Sequence, residues 1–341
     1  MARTITFQKA INEALDQEMA RDPSVVLFGE DVAGGQGAGG ELDAWGGVLG
    51  VTKGLYHKHP GRVLDTPISE SAFIGAAVGS ACSGLRPVAE LMFVDFMGVC
   101  FDQIFNQGAK LRYMFGGKAR VPMVIRTMWG AGIRAASQHS QSLYSIFTHV
   151  PGLKVVVPSN PYDAKGLLIG AIRDDDPVIF FENKVLYTME GEVPEESYTI
   201  PFGEANLVRE GDDVSIVAIG RMVAMARQAA EELAADGIEA EIVDLRTTSP
   251  LDEDTVYESV EKTGRLVVVD EDNPRCGMAA DIAALVAQNS FDDLQAPVQM
   301  VTAPHTPPPF TPALEDLYVP SAAQIADAAR RTTGGKVGAR A

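Results

Sequence analysis

The sequence has little positive charge for its length. Of its 341 residues, 28 are Lys or Arg and 46 are Asp or Glu, so the formal net charge at pH 7 is −18. Proteins that bind nucleic acid use basic patches to neutralise phosphates, so this balance argues against nucleic acid as a partner. A hydrophobic fraction of 46% and a charged fraction of 22% are ordinary for a globular protein, and the length suits two domains.

Cysteines and long apolar runs are also scarce. Cys82, Cys100 and Cys276 lie far apart among apolar or small residues, which predicts buried, reduced thiols. The segment MARTITFQKAINEALDQEMARD lacks the apolar core of a signal peptide, and no run approaches the ~18 apolar residues of a membrane span. We therefore expect a cytoplasmic chain without a membrane partner.

Several common catalytic motifs are absent. The sequence contains no GxxxxGK[ST] loop, no GxSxG elbow and no zinc-type spacing of His and Cys. A GxGxxG pattern occurs at Gly35, Gly37 and Gly40, but the residues after it do not begin a helix, as a dinucleotide site requires. The glycine-rich residues 34–50 are better explained as a loop beside a binding site.

Strand and helix patterns alternate along most of the chain. Apolar runs such as VVLFGED, VPMVIRT and PVIFFEN predict buried strands, and the segments between them have helical periodicity. This order indicates an α/β fold with a parallel sheet covered on both faces. The acidic, proline-containing stretch LYTMEGEVPEESYTIPFGEAN interrupts the pattern before a second α/β unit. We predict a first domain over 1–187, a linker over 188–206, a second domain over 207–329 and a loose tail over 330–341.

The stretch LDTPISESAFIGAAVGSACSG places one carboxylate, Glu70, before a helix of small and apolar residues. The pattern predicts a helix buried all round, with Ser69 as its cap. The helix dipole stabilises a first-turn carboxylate by about 0.3–1 kcal/mol, which is the purely structural explanation. A desolvated carboxylate is also a candidate functional group. Gly75, Gly79 and Gly84 suggest close approach by another backbone, for example that of a second subunit.

A second candidate is His139, in the polar motif SQHSQS between a predicted strand and a predicted helix. This position corresponds to the carboxyl end of a parallel strand, where α/β sheets place their chemistry. From the spacing alone, a capping or surface role for His139 stays open.

Longer motifs resemble a known family. DTPISESAFIGAAVG, GLRPVAELMFVDF, DQIFNQGAKLRYMFGG, SQHSQSLYSIFTHVPGLKVVVPSNPYDAKGLL and AIRDDDPVIFFENK resemble the beta subunits of thiamine-diphosphate-dependent 2-oxo acid dehydrogenases. ELMFVDFMGVCFDQIFNQ, RTMWGAG and APHTPPPF are most similar to the acetoin dehydrogenase branch. The resemblance implies a pyrimidine-binding α/β domain followed by a transketolase-like carboxyl-terminal domain.

The resemblance also implies site residues. Glu70 matches the glutamate that hydrogen-bonds N1′ of the cofactor's aminopyrimidine. Met92 and Phe96 match residues that pack around the pyrimidine, with ordinary core residues as the alternative. His139 matches a histidine that handles protons as the acyl group passes to lipoamide. The family often carries a structural K⁺, for which the matching positions are Met123, Ala171, Ile172, Asp174 and Asp176.

The family's diphosphate- and Mg²⁺-binding GDG…N motif, which belongs to the alpha subunit, is missing here. The resemblance therefore implies a chain that is inactive alone. It would share thiamine diphosphate with an alpha subunit in an α2β2 heterotetramer and pass the acyl unit to a lipoyl-bearing dihydrolipoamide acyltransferase core. The catalytic residues do not separate acetoin from pyruvate or branched-chain 2-oxo acids as the substrate.

Two alternative functions belong to classes other than thiamine-diphosphate enzymes. The first is a nicotinamide-dependent dehydrogenase that uses the Gly35–Gly40 loop. The second is a non-catalytic assembly subunit, against which the presence of both Glu70 and His139 argues.

Overall fold

The computed structural model describes residues 2–34 and 45–334. The chain forms two compact units, the first comprising residues up to 129 together with 146–201, and the second comprising 130–145 together with the residues from 202 onward. Over the described ranges, no helix is both long enough and apolar enough to cross a bilayer.

The first unit begins with a strand that is followed at once by a long helix. Its regular elements are β1 (Ala2–Thr6), α1 (Phe7–Arg21), β2 (Val25–Gly29), α2 (Leu55–Lys58), β3 (Val63–Asp65), α3 (Glu70–Cys82), β4 (Arg86–Phe93), α4 (Leu111–Met114), β5 (Val124–Trp129), α5 (Tyr144–Thr148, whose first two residues belong to the second unit), β6 (Lys154–Val156), α6 (Pro161–Arg173), β7 (Val178–Asn183) and β8 (Glu190–Pro194). The pattern of MGVCFDQIFNQGAKLRYMF after β4 predicts one helix, but the residues that follow β4 instead form a 3-10 helix (Val94–Cys100), a π-helix (Asp102–Gly108) and the short α4.

The strands of this unit form a parallel sheet in the order β6-β7-β5-β4-β2-β3. Strands β5 and β7 are buried along their whole length, as expected for a sheet covered on both faces. Strand β1 pairs with β8 in a separate antiparallel ribbon. The predicted parallel α/β fold is confirmed.

A buried arginine joins three neighbouring strands of this sheet. Arg126 in β5 donates from Nε and Nη2 to the two carboxylate oxygens of Glu182 in β7, at 2.6 and 2.8 Å. Its Nη1 donates to Glu90 in β4 at 2.7 Å, and the Tyr187 hydroxyl donates to Glu182 at 2.7 Å. The planar guanidinium thus binds one carboxylate in a bidentate fashion and a second at its other end.

A buried lysine has a similar role outside the sheet. Lys165 in α6 is fully buried and donates to the Glu13 carboxylate in α1 at 2.7 Å. It also donates to the carbonyls of Pro194 and Glu195, at 2.7 and 3.1 Å. These bonds satisfy all three protons of the ammonium group and fix the chain after β8 to both helices.

The second unit has its own sheet. Its regular elements are β9 (Asn206–Arg209), β10 (Val214–Ala218), α7 (Met222–Ala235), β11 (Ala240–Asp244), β12 (Thr247–Ser249), α8 (Glu253–Thr263), β13 (Leu266–Asp270), α9 (Met278–Asn289), β14 (Gln299–Thr302), α10 (Pro312–Tyr318) and α11 (Ala322–Thr332). The sheet order is β14-β13-β10-β11-β9, with only β9 antiparallel to its neighbour. Helices α7 and α11 cover one continuous apolar core.

The predicted linker and tail contain ordered elements. Strand β8 lies within 188–206 and pairs with β1, and the first unit extends to Pro201. Helix α11 ends at Thr332, inside the predicted tail, and residues 335–341 lie outside the described part of the chain. The domain boundaries themselves stay a prediction.

Helix α3 is not buried all round, in contrast to the prediction. One face is buried, whereas Ala72, Ala76, Gly79 and Cys82 are exposed. A Cβ added at Gly79 or Gly84 would meet no described atom within 4 Å, and one at Gly75 would meet a side-chain carbon of Gln103 at 3.4 Å, so no backbone of the described residues makes the predicted close approach. Uncharged small residues suit a buried face and an open face alike, so the sequence pattern could not separate the two.

The cysteines follow the prediction only in part. All three are free, and Cys100 is buried. Cys82 and Cys276 are exposed, so predicted burial is wrong for these two. Cys82 lies on the open face of α3, and Cys276 lies in a left-handed turn (φ 55°) before α9.

Replacing Arg126 with Met would leave two carboxylates in the sheet without their counter-ion. We expect the free energy of unfolding of the purified chain, measured in urea by circular dichroism, to fall by about 3–5 kcal/mol, the usual cost of removing one member of a buried ion pair. As a control, Lys58→Met breaks an exposed pair with Asp16 and should cost at most about 1 kcal/mol. Equal losses in the two variants would contradict this account of Arg126.

Candidate active site

Glu70 lies beyond the carboxyl ends of two adjacent parallel strands. In the register of β2 and β3, Gly29 is opposite Asp65, and a short segment then leads from β3 to Glu70, the first residue of α3. Ser69 occupies the N-cap position, but its side chain makes no capping hydrogen bond, so the predicted cap is not formed. The helix N-terminus itself favours a negative charge at Glu70.

The charge of Glu70 acts on neighbouring groups. Glu30, directly after β2, is buried; burial raises the pKa of its carboxyl, and the charge of Glu70 raises it further. Burial likewise raises the pKa of the Cys100 thiol to about 12, again with a contribution from Glu70. Glu70 and Glu30 therefore form a pair of like charges at this edge of the sheet.

The Glu70 carboxylate is half-buried and makes no hydrogen bond or ion pair with the residues that the structure describes. A carboxylate in this situation keeps its capacity to accept a hydrogen bond from a ligand.

Two further carboxylates, Glu90 and Glu182, pair with Arg126 in the same sheet. Burial raises the pKa of the Glu90 carboxyl, and the charge of Arg126 offsets only part of that rise. Burial followed by the charge of Glu182 raises the pKa of Tyr187 well above its usual value, so its hydroxyl stays a donor. Glu90 in turn adds to the electrostatic field at Glu30.

Met92 and Phe96 flank an irregularity at the end of β4. The pairing of β4 with β5 shifts register between Leu91 and Phe93, so Met92 is the extra residue of a bulge, a feature common beside active sites. Phe96 lies in the 3-10 helix that packs against α3, where the Ser71 hydroxyl donates to the Val99 carbonyl at 2.6 Å. Both Met92 and Phe96 are half-buried.

These residues fit an aminopyrimidine ring. An unpartnered acceptor at Glu70 suits a ring N–H donor, and half-buried thioether and aromatic side chains suit the faces and edge of a flat heterocycle. Among residues 2–34 and 45–334, no cluster of three or more His, Cys, Asp or Glu side chains could hold a metal ion. The residues present thus suit the pyrimidine part of the predicted cofactor.

His139 belongs to the second unit. The loop of residues 130–145 follows β5 and contains a 3-10 turn over Ser137–His139. His139 is half-buried, and its amide donates to the Ala136 carbonyl at 3.2 Å. Two non-glycine residues of this loop, Arg134 and Ala136, have positive φ angles of 61° and 62°. Such strained backbone is concentrated at functional sites and persists only where the surroundings hold it.

This loop is held by carboxylates that no local sequence pattern identifies. They lie 126 to 183 residues away in sequence and comprise Asp270, Glu271, Asp272 and Glu315. Such distant pairings leave no local pattern. The one available signal was the placement of acidic residues directly after the apolar strand RLVVVDED.

The potassium positions come together where α6 ends and β5 and β7 begin. The Met123 carbonyl accepts from the Val178 amide at 2.9 Å, and that of Ala171 accepts from the Asp174 amide at 3.3 Å. The carbonyls of Ile172 and Asp174 both accept from Arg86 Nη1, at 3.2 and 2.8 Å.

The Asp176 carboxylate at the same place pairs with Arg112 at 2.5 Å and with Lys154 at 3.4 Å. A potassium ion would therefore share its ligands with cationic side chains that already neutralise this corner. The potassium site stays a prediction.

The GxGxxG pattern at Gly35, Gly37 and Gly40 lies outside the described residues, as does most of the predicted 34–50 loop. At the edge of this gap, the Asp65 carboxylate accepts from the Ala33 amide at 2.6 Å.

Comparison with known proteins defines the class first. The family Transketolase, pyrimidine binding domain matches residues 3–190, and the family Transketolase, C-terminal domain matches residues 203–325. A solved structure of a split gene transketolase, an inactive beta4 tetramer, superposes with a TM-score of 0.78 at 23% identity, covering 97% of this chain and 99% of that one. The fold is therefore that of a two-domain transketolase-like protein.

Sequence relatives are more specific. The chain is 70% identical to the beta subunit of acetoin:2,6-dichlorophenolindophenol oxidoreductase of Cupriavidus necator, over 98% of this chain and 100% of the relative. It is 46% identical to the beta subunit of the pyruvate dehydrogenase E1 component of Rickettsia felis, over 96% and 98%. The chain belongs to the family of beta subunits of thiamine-diphosphate-dependent acetoin and 2-oxo acid dehydrogenases, which confirms the resemblance seen in the sequence.

Because the pKa of the Glu30 carboxyl is raised, replacing it with a neutral amide should increase thermal stability by an amount that depends on pH. A carboxyl whose pKa is higher in the folded than in the unfolded chain destabilises the fold increasingly as pH rises above its unfolded value. Glu30→Gln should therefore raise Tm relative to the native chain at pH 8, with a smaller gain at pH 5. Differential scanning calorimetry across this range measures the effect, and Glu192→Gln, at an exposed position of β8, is the control. A gain that is largest at pH 5 would contradict the assignment.

Proposed function

We propose that this chain is the beta subunit of the first component of an acetoin dehydrogenase complex, active with an alpha subunit. The half-buried Glu70 carboxylate, unpartnered among the described residues, carries the proposal, because it is placed as an acceptor for a ring N–H. The 70% identity to an acetoin-oxidising relative supports the choice of acetoin over pyruvate.

Glu70 would hold a proton at N1′ of the aminopyrimidine. The Glu70 carboxylate would accept a hydrogen bond from the protonated ring nitrogen and so favour the proton at N1′. When bound, thiamine diphosphate supplies the thiazolium carbon that adds to the substrate carbonyl. Met92 and Phe96 would contact the pyrimidine and exclude water from it.

His139 would serve the later part of the reaction. Cleavage of the bond between the two oxygen-bearing carbons of acetoin yields acetaldehyde and a two-carbon unit. Transfer of that unit to lipoamide oxidises it to acetyl, while the lipoyl disulfide is reduced and one sulfur takes the acetyl group. His139, half-buried in its loop, would hold or deliver a proton at the oxygen of the unit being transferred.

The partners follow from what this chain contributes. We propose that an alpha subunit supplies the diphosphate and Mg²⁺ site, in an α2β2 heterotetramer that docks on a lipoyl-bearing dihydrolipoamide acyltransferase core. The net charge of −18 would favour a basic docking segment on that core. A structural K⁺ near Met123 and the end of α6 is also part of this proposal. The ion would share the carbonyls of Ile172 and Asp174 with the Arg86 guanidinium.

Glu70→Gln tests the function directly. The chain is co-expressed with its alpha subunit, and activity is assayed with acetoin, pyruvate and branched-chain 2-oxo acids, with 2,6-dichlorophenolindophenol as electron acceptor. We expect acetoin to be the best substrate and Glu70→Gln to lower kcat at least about 100-fold, the scale of lost acid–base catalysis.

Size-exclusion chromatography should show an unchanged assembly for the Glu70→Gln variant. The control Glu196→Gln alters an exposed carboxylate and should retain full activity. Native turnover by Glu70→Gln would refute its role, and a preference for pyruvate would refute the substrate.

A further inference from the structure

The loop that carries His139 is held in a strained conformation. Gly130 and Gly132 have φ angles of 88° and 115°, and Arg134 and Ala136 also lie at positive φ. Glycine adopts this region freely, but a residue with a side chain disfavours it, so Arg134 and Ala136 would relax to other conformations without external restraint. The restraint comes from buried carboxylates elsewhere in the second unit.

Glu315 in α10 is the principal restraint. It is fully buried, and its carboxylate accepts from the Gly132 amide at 2.8 Å and from the Arg134 amide at 3.2 and 3.3 Å. The Arg134 guanidinium donates to the same carboxylate at 2.6 Å. One buried anion thus accepts hydrogen bonds from two backbone amides and a guanidinium through both of its oxygens.

Glu271 holds the residue between the two glycines. Its carboxylate, also fully buried, accepts from the Ala131 amide at 2.7 Å. Arg221 donates to the Ala131 carbonyl at 3.0 Å and lies 3.9 Å from the Glu271 carboxylate. The backbone amide and carbonyl of Ala131 are therefore bound by Glu271 and Arg221, respectively.

Further hydrogen bonds fix the chain on both sides of His139. The Ser137 hydroxyl donates to the Pro308 carbonyl at 2.6 Å. The Tyr144 hydroxyl donates to Asp270, and the Ser145 hydroxyl donates to Asp272 at 2.5 Å. His139 lies between these two sets of bonds, so its backbone position depends on both.

We propose that Glu315, assisted by Glu271, is a positioning residue that holds the His139 loop in its reactive conformation. The inference rests on the role proposed above for His139. Neither carboxylate is assigned contact with substrate or cofactor; each acts by fixing backbone amides that precede the histidine. Loss of Glu315 therefore affects the step that uses His139 and leaves the step that uses Glu70.

The test compares two activities of the heterotetramer. Reduction of 2,6-dichlorophenolindophenol by acetoin reports the Glu70-dependent step, and acetylation of a lipoyl domain reports the His139-dependent step. Glu315→Gln should lower kcat for lipoyl acetylation at least tenfold with KM for the lipoyl domain changed less than twofold. Dye reduction should stay within twofold of the native enzyme.

A conservative variant and a neighbouring control sharpen this comparison. Glu315→Asp keeps the charge on a shorter side chain and should recover part of the lost kcat. Asp316→Asn changes the exposed neighbour whose carboxylate pairs with the Arg134 side chain, and this variant should acetylate the lipoyl domain normally. If Glu315→Gln does not assemble, Glu271→Gln carries the same expectations.

A double variant separates positioning from general damage. Added to His139→Ala, Glu315→Gln should cause no further loss of lipoyl acetylation, because both changes act through the same side chain. An additional tenfold loss, or equal loss of both activities, would overturn the positioning role. Normal acetylation by Glu315→Gln beside an impaired His139→Ala also overturns it, whereas normal acetylation by His139→Ala alone overturns the function proposed for His139.

Discussion

The guanidinium of Arg126 is the positive charge on which the buried carboxylates of the first unit's sheet depend. It is buried within a parallel sheet and binds carboxylates on the strands to either side of its own. Without this cation, Glu90 and Glu182 would carry uncompensated charge in a low dielectric, a situation that proteins avoid by protonation or unfolding. When Arg126 is present, Glu90 can stay in the sheet, and the charges of Glu90 and Glu70 both raise the pKa of Glu30.

The two units use carboxylates in opposite ways. In the first unit, Glu70 is half-buried and unpartnered among the described residues, so its hydrogen-bonding capacity is available to a ligand. In the second unit, Glu271 and Glu315 are fully buried and accept hydrogen bonds from backbone amides of the His139 loop. One unit therefore leaves a carboxylate open to a ligand, whereas the other uses its carboxylates in hydrogen bonds to its own backbone.

Much of the fold could be predicted because the pattern is regular. Continuous apolar strands between amphipathic helices allow little besides a parallel α/β sheet, and α1, α6 and β7 occur where the sequence places them. Glu70 was identifiable because a lone carboxylate stands out before small, apolar residues. The open face of α3 was not, since Ala72, Ala76 and Gly79 are compatible with burial and with exposure.

The remaining site could not be read from local patterns. The bonds from Glu315 and Glu271 to the His139 loop join residues 140 to 183 positions apart, so only the folded chain brings them together. The Arg126 network left a fainter trace, as charged residues inside the apolar runs RPVAELMF and VPMVIRT. A charge within a buried strand requires a partner, but the sequence does not say which strand provides it.

The central claim is that Glu70 activates the cofactor through its pyrimidine ring. The most direct measurement is the rate at which the C2 proton of thiamine diphosphate, bound to the heterotetramer, exchanges with deuterium in the absence of substrate, followed by quenched-flow NMR. The account predicts that Glu70→Ala slows this exchange at least about 100-fold while the cofactor remains bound. An exchange rate equal to that of the native heterotetramer would contradict it.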